Sequence, residues 1–176
     1  VATEDKRFYR HFGISPRGIA SAVRINLQEG RGPLSGNGGS TITQQTAKLL
    51  CLGVPYDPAV WKTERDYEED CRQTTLWRKV KEALVAIQIE KRYSKPEIFT
   101  LYCNQIYFGH GAYGVQMAAK TYFGKDIASV NQAEAALLAG LPKSPMVYSP
   151  YSDIDLTKLR QSQVLKRMVD EGYLSE

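Results

Sequence analysis

Apolar residues recur at three- and four-residue intervals along most of the chain, and convincing two-residue alternation is scarce, so the pattern predicts helices. Ser15 followed by Pro16 is a favourable helix start; Ile19, Val23 and Leu27 then fall four apart on one face, and Gly30 is a natural stop. Residues 31–39 hold four glycines, a proline and an asparagine, the composition of a mobile loop. Thr41 with Gln44 three residues later forms a capping box that opens a second helix, expected to end near Gly53. A long helix is predicted over 74–93, with Leu76, Val80, Leu84 and Ile87 spaced to face a core. Ser94 and Glu97, with Pro96 in the first turn, start another that ends near Gly109. A short helix over 115–122 stops at Gly124, Asn131 and Glu134 open an Ala/Leu-rich one ended by Pro142, and a last helix over 155–171 is closed by Gly172.

Residues 54–73 break this rhythm with two prolines, Trp61, and the acids Glu64, Asp66, Glu68, Glu69 and Asp70, and read as a surface insertion. Tyr56, Val60 and Trp61 suit a membrane surface, but the neighbouring acids would be repelled by anionic lipids. Cys51 and Cys71 bracket the stretch. A disulfide closing it and three free thiols, counting Cys103, both remain open, while the absence of a CxxC pair or of nearby histidines excludes a zinc site built on them. No internal repeat is present. The expectation is a mainly α fold over 1–176, one domain or two small lobes sharing a core.

Composition excludes disorder: 43% of residues are apolar, 24% are charged, and 11 Tyr, 5 Phe and 2 Trp supply bulk for a core. The net charge of +4 is a mild bias toward anions such as phosphates or acidic head groups. No segment approaches the roughly 18 consecutive apolar residues of a membrane span, and no signal peptide is visible, so an anchor is expected outside the chain. A start at Val1, directly before the richest motif, suggests an excised domain.

Four segments carry candidate chemistry. In ATEDKRFYRHFG, residues 2–13, Glu4 and Asp5 precede Lys6, Arg7, Arg10 and His11. Cationic surroundings favour the ionised acid and burial against Phe8 or Phe12 opposes it, the balance that a general base needs. The plainer reading places both acids in the first turn of a short helix, where the dipole favours them. In GNGGSTITQQTAK, residues 36–48, glycines lead into a helix start carrying Ser40, Thr41 and Thr43, whose N–H groups and hydroxyls suit an anion. A capped helix accounts for Ser40, Thr41 and Gln44 but leaves Gln45 and Lys48 unassigned; the P-loop ending is absent. In WRKVKEALVAIQIEKRYSK, residues 77–95, Arg78 and Lys79 sit near the positive end of their helix and Arg78 precedes Glu82 in the less favourable order. Such cations suit a bound anion, with Glu82 to orient them; an exposed ion pair is the alternative. In residues 98–125, Asn104 precedes a Tyr/Phe/Gly-rich turn and belongs either to a buried network or to a substrate contact; Tyr102 and Ile106 read as core, and His110 as a loop residue.

EDKRFYRHFG, GGSTITQQTAK, RKVKEALVAIQIEKRYSK and YCNQIYFGHGAYG, in this order, resemble the family 51 peptidoglycan glycosyltransferases, which occur as class A penicillin-binding proteins and monofunctional transglycosylases. The resemblance runs from residue 2 to the VLKRMVDEGYLSE ending. It implies a lysozyme-like helical head with a smaller membrane-facing jaw lobe, acting on the extracytoplasmic face of the bacterial cytoplasmic membrane. The implied substrates are lipid II and a growing glycan strand as donor, with inversion at the anomeric carbon, and phosphoglycolipids such as moenomycin are the implied inhibitors. Carried over residue by residue, Glu4 is the general base and Glu82 the second acid. Asp5 supports the base, Lys48, Arg78 and Lys79 meet the diphosphate, and Ser40, Gln44, Gln45 and Asn104 hold sugar and phosphate groups. No cofactor is implied beyond a divalent cation, Mg or Mn, that Glu82 could position. The sequence departs from the family in the 54–73 insertion and at Cys103, where a larger aliphatic residue is usual.

A diphosphate leaving group already carries charge, so cations replace the second proton donor of a glycosidase. Two rivals remain. A lysozyme-like peptidoglycan hydrolase would also use two acids on a helical scaffold. A non-catalytic basic module binding nucleic acid would need one continuous basic face, yet Lys81 adjoins Glu82 and Lys91 adjoins Glu90, which argues against nucleic acid as the partner.

Overall fold

The computed structural model describes residues 1–30, 32, 39–73 and 75–175. Of the loop expected at 31–39, all but residues 32 and 39 lie outside this set. Eight α-helices follow in order among the described residues: α1 (Pro16–Gln28), α2 (Ile42–Leu49), α3 (Glu64–Arg72), α4 (Leu76–Arg92), α5 (Lys95–Gln105), α6 (Val115–Phe123), α7 (Gln132–Gly140) and α8 (Ile154–Asp170). Extended pairing among them is limited to two isolated bridges, Phe12 with Ile14 and Tyr107 with Tyr113. The chain divides into two compact units, one of residues 7–100 and one of residues 1–6 with 101–176.

In the 7–100 unit the helix starts follow their capping chemistry. Ser15 accepts from the Gly18 amide ahead of Pro16, Thr41 and Gln44 form the full reciprocal box of α2, and Thr75 accepts from the Arg78 amide at the head of α4. Helix α2 packs against α4, around a core that includes Phe8, Ile42, Ala47, Ala86 and Ile98. Glycine is required at position 39, because a Cβ there would lie 2.6 Å from the Gly18 carbonyl oxygen.

Two expectations about facing are corrected here. The α1 stripe is not a core face: Ile19 and Leu27 are exposed, and the buried residue of that helix is Asn26. The α4 stripe is likewise outward, with Leu76, Val80 and Leu84 exposed, while Glu82, Ala86 and Ile89 are buried. At 100° per residue these two sets lie on opposite sides of the helix. Periodicity locates an apolar stripe but not what covers it, and small Ala86 lets α2 approach the other face.

Helix α2 ends at Leu49 instead of near Gly53, because Cys51 and Leu52 take left-handed φ values of 50° and 58°. The insertion has structure of its own. Thr63 caps α3, and Arg65–Glu69 and Arg72–Glu68 pair along its solvated face. Cys51 and Cys71 form a disulfide across 20 residues, with Cα atoms 5.1 Å apart, and Cys103 is the free thiol, which replaces the reading of three free thiols. Tyr67 meets the rings of Tyr56 and Trp61 edge-on and donates to the Val54 carbonyl.

In the other unit α7 packs on α8, burying Ala136, Leu138 and Val164. A Cβ at Gly140 would lie 2.9 Å from Arg160 Cγ, so the glycine sets how closely α8 approaches. Helix α5, expected to reach Gly109, ends at Gln105, followed by a turn in which Gly109, His110 and Gly111 all have positive φ. Among the described residues no helix is long and apolar enough to cross a membrane.

Candidate functional site

The sequence-predicted residues fall into two groups. Ser40, Gln44, Gln45, Lys48, Arg78, Lys79 and Glu82 lie in the 7–100 unit; Glu4, Asp5 and Asn104 lie in the other.

The first group converges at the α2–α4 packing. Lys79 Nζ donates to Ser40 Oγ at 3.1 Å and to Glu82 Oε1 at 2.9 Å. The Glu82 side chain is 4% exposed and that of Lys79 45% exposed, so the pair joins a buried acid to a cation that reaches solvent. Burial pushes the Lys48 ammonium below its ordinary pKa; Lys79, Arg78 and Arg72 push it the same way and Glu82 opposes them. Lys48 thus feels three other cations and one buried carboxylate, and Lys79 is the one of them in direct contact with Glu82. Arg78 Nε and Nη2 are buried without a hydrogen-bond partner among the described residues, a costly state for a charged fork unless a ligand fills it. Nothing acidic stands in the first turn of α4 to offset these charges. The chemistry of the arrangement suits an anion, and with Glu82 buried the Lys79–Glu82 pair is not an exposed ion pair.

Gln44 closes the capping box through Oε1, which accepts from the Thr41 amide at 3.0 Å, and its side chain is buried. Gln45 is half-buried on the same helix. Sequence reasoning missed a neighbouring network, in which the Glu90 carboxylate accepts from Thr43 Oγ1 and from Lys95 Nζ, both at 2.6 Å, with Lys95 4.6 Å from the centre of the Phe8 ring. Glu90 on α4 sits on a different element from Thr43 on α2 and Lys95 on α5, and no short-range spacing signals such a contact.

In the second group, Glu4 is half-buried in the turn at residues 2–4, and Asp5, just after it, is buried and donates its amide to the Val1 carbonyl at 2.9 Å. The helix that follows is a 3₁₀ turn, Phe8–Arg10, with no acid in its first turn, so the dipole reading of Glu4 and Asp5 does not apply. Phe12, considered as burying the acid, is 53% exposed. Lys6 pairs with Glu171 at 3.4 Å, tying the acid turn to the end of α8. Burial, then the charges of Glu4, Cys103 and Asp5, drives the Tyr102 hydroxyl far above its ordinary pKa, which places that phenol beside the acids as a neutral group. Burial also raises the Cys103 thiol above its ordinary pKa, against the opposing charge of the Val1 amino group. Asn104 is exposed, which removes the buried-network reading, and its backbone is approached so closely by Gly114 that a Cβ there would lie 2.7 Å from its carbonyl oxygen. His110 is more than a loop residue: its Nε2 lies 2.7 Å from Ser149 Oγ, with its ring edge-on to Tyr122 and Tyr151.

The sequence model of the family described as Transglycosylase matches residues 1–169. Penicillin-binding protein 1A of Aquifex aeolicus is 47% identical over 175 residues, 99% of this chain and 21% of that protein. Penicillin-binding protein 1A of Escherichia coli is 41% identical over 176 residues, 100% of this chain and 18% of that one. A crystal structure of penicillin-binding protein 1A from Haemophilus influenzae aligns with a TM-score of 0.45 at 44% identity, covering 47% of this chain and 12% of that one. The chain spans about a fifth of the length of the curated relatives it matches.

Proposed function

Because this chain belongs to the transglycosylase family, the family 51 glycosyltransferases, we propose that it polymerises peptidoglycan glycan strands from lipid II, at the extracytoplasmic face of a bacterial membrane. The observation that carries the reading is the cation cluster of Lys48, Arg78 and Lys79 about buried Glu82, with two unpaired guanidinium nitrogens awaiting an anion.

In the proposed reaction the Glu4 carboxylate takes the proton of the acceptor GlcNAc 4-hydroxyl as that oxygen attacks the MurNAc anomeric carbon of the growing strand. The bond from that carbon to the diphosphate breaks with inversion, and the leaving oxygens gain charge that Lys48, Arg78 and Lys79 neutralise in place. Glu82 holds Lys79 in position, Asp5 supports the base, and Ser40, Gln44, Gln45 and Asn104 hold sugar and phosphate groups. A divalent cation, Mg²⁺ or Mn²⁺, would be positioned by Glu82 beside the diphosphate; among the described residues no group of three or more His, Cys, Asp or Glu side chains gathers. Moenomycin-type phosphoglycolipids would compete for the same cations. A jaw lobe and an anchor outside these residues would keep the site at the membrane surface.

Incubation with labelled lipid II tests the reading: polymer is expected, and shortened glycan from preformed strands would favour a hydrolase instead. Glu4→Gln should lower polymerisation by roughly 10²- to 10⁴-fold, the usual contribution of a positioned base. Wild-type rates in that variant would remove Glu4 from the mechanism.

A further inference from the structure

Beside the cation cluster, and sharing Arg78 with it, runs a groove of about 390 Å³ whose other lining residues have no assigned role. One wall is the insertion and the turn before it, with Cys51, Leu52, Val54, Trp61 and Asp70; the other is α4, with Arg78, Lys81, Leu84, Val85 and Gln88. The α4 residues fall within one side of the helix, distinct from the inward face of Glu82, Ala86 and Ile89. The Cys51–Cys71 disulfide and the edge-on contacts of Tyr67 with Tyr56 and Trp61 brace the insertion wall.

Its chemistry is that of an amphiphile's site. Leucine, valine and indole line most of it, while Arg78 contributes a guanidinium whose Nε and Nη2 have no partner among the described residues, and Lys81 adds a second cation against the carboxylate of Asp70. An entirely apolar occupant would leave Arg78 unsatisfied, and inorganic phosphate would leave the apolar walls wet. We propose that the groove takes the first apolar stretch of a lipid-linked phosphate, its chain between the insertion and α4 and its phosphate on Arg78. The volume holds a short length of chain, not a whole lipid. The inference rests on the reading of this unit as a lipid diphosphate site, and it gives the insertion a function that the family resemblance does not supply.

Trp61 is one of two tryptophans, and the other, Trp77, is 67% exposed, so Trp77→Phe leaves a reporter inside the groove. In that background, a short-chain alkyl phosphate below its micelle concentration should shift Trp61 emission saturably, at concentrations where inorganic phosphate and the matching alkanol do not. Leu84→Glu, at a position 57% exposed and therefore tolerant, should weaken alkyl phosphate binding by about tenfold, and Leu84→Met should restore it. Equal responses to alkyl phosphate and inorganic phosphate, or none, would overturn the groove. The activity arm separates this inference from the function beneath it. With lipid-linked disaccharide diphosphates of long and short chain, Leu84→Glu should raise KM for the long chain about tenfold and leave the short chain unchanged. An unchanged ratio with polymer still formed overturns the groove alone, whereas no polymer from the wild type with either substrate overturns the function, and the emission titration then judges the groove by itself.

Discussion

Helix α4 and the α7–α8 pair differ in what they turn inward. In α7 and α8 the buried residues are Ala136, Leu138, Gly140, Thr157 and Val164, none of them charged, although α8 also exposes Ile154, Leu156 and Leu159. In α4 the residues turned inward include Glu82, while Leu76, Trp77, Val80 and Leu84 are 68, 67, 44 and 57% exposed. Exposing those side chains and burying a carboxylate gives up several kcal/mol that a purely structural helix would keep. A helix arranged in that way positions chemistry, and one arranged like α7 or α8 holds a domain together.

The largest effects should separate these roles cleanly. Glu82→Gln releases Lys79 from its 2.9 Å contact and should lower turnover by roughly 10²- to 10³-fold. The thermal midpoint should move little, because Lys79 reaches solvent once freed. Leu138→Ala, in a side chain 3% exposed, should cost about 2–5 kcal/mol of stability in chemical denaturation and leave turnover per folded molecule unchanged. If Glu82→Gln unfolded the protein at full specific activity, the contrast between the two regions would collapse.

The contrast sharpens within α4 itself. Glu90 is also a buried acid on this helix, but its partners Thr43 and Lys95 are internal, and Lys95 is only 18% exposed. Glu90→Gln should therefore lose about 3 kcal/mol by leaving a largely buried ammonium unmatched. Its readout is denaturation, with KM for lipid II unchanged, so two carboxylates eight positions apart would report opposite quantities.

How much of this was legible follows from what each signal measures. Caps are local chemistry, so Ser15, Thr41 and Asn131 do start α1, α2 and α7, whereas the Thr75 cap of α4 was not singled out. Helix ends were less legible, since α2 stops four residues early at left-handed Cys51 and Leu52, a conformation with no short-range signature in non-glycine residues. Facing was not legible: a stripe such as Leu76, Val80 and Leu84 looks the same whether a neighbouring helix covers it or not. The displaced cations Arg78 and Lys79 were readable because they break a local electrostatic rule, and the structure brings both together with Lys48 and Glu82. The Glu90–Thr43 contact joins residues 47 apart and the Cys51–Cys71 bond residues 20 apart, so neither could be fixed from spacing.

The smallest effect belongs to Lys48, and it tests whether the cluster on α2 and α4 meets an anion at all. Burial first, and its cationic neighbours second, lower the Lys48 pKa, so in the free protein its charge is lost as pH rises through that lowered value, below the ordinary lysine range. The protonated form is the one that folding disfavours, so this group contributes stability as pH rises, not as it falls. A bound anion reverses the balance by favouring the ammonium. Pyrophosphate binding in the window between the lowered and ordinary values should therefore take up a proton, and affinity should decline through the same window. Calorimetry in two buffers of different ionisation enthalpy counts that proton. Lys48→Arg, which stays charged, should abolish the uptake and hold affinity level with pH, and Lys48→Met should weaken binding by roughly tenfold across neutral pH. Binding without proton uptake in the wild type would show that the anion lies away from Lys48, leaving α4 with charged residues turned inward and no ligand to explain them.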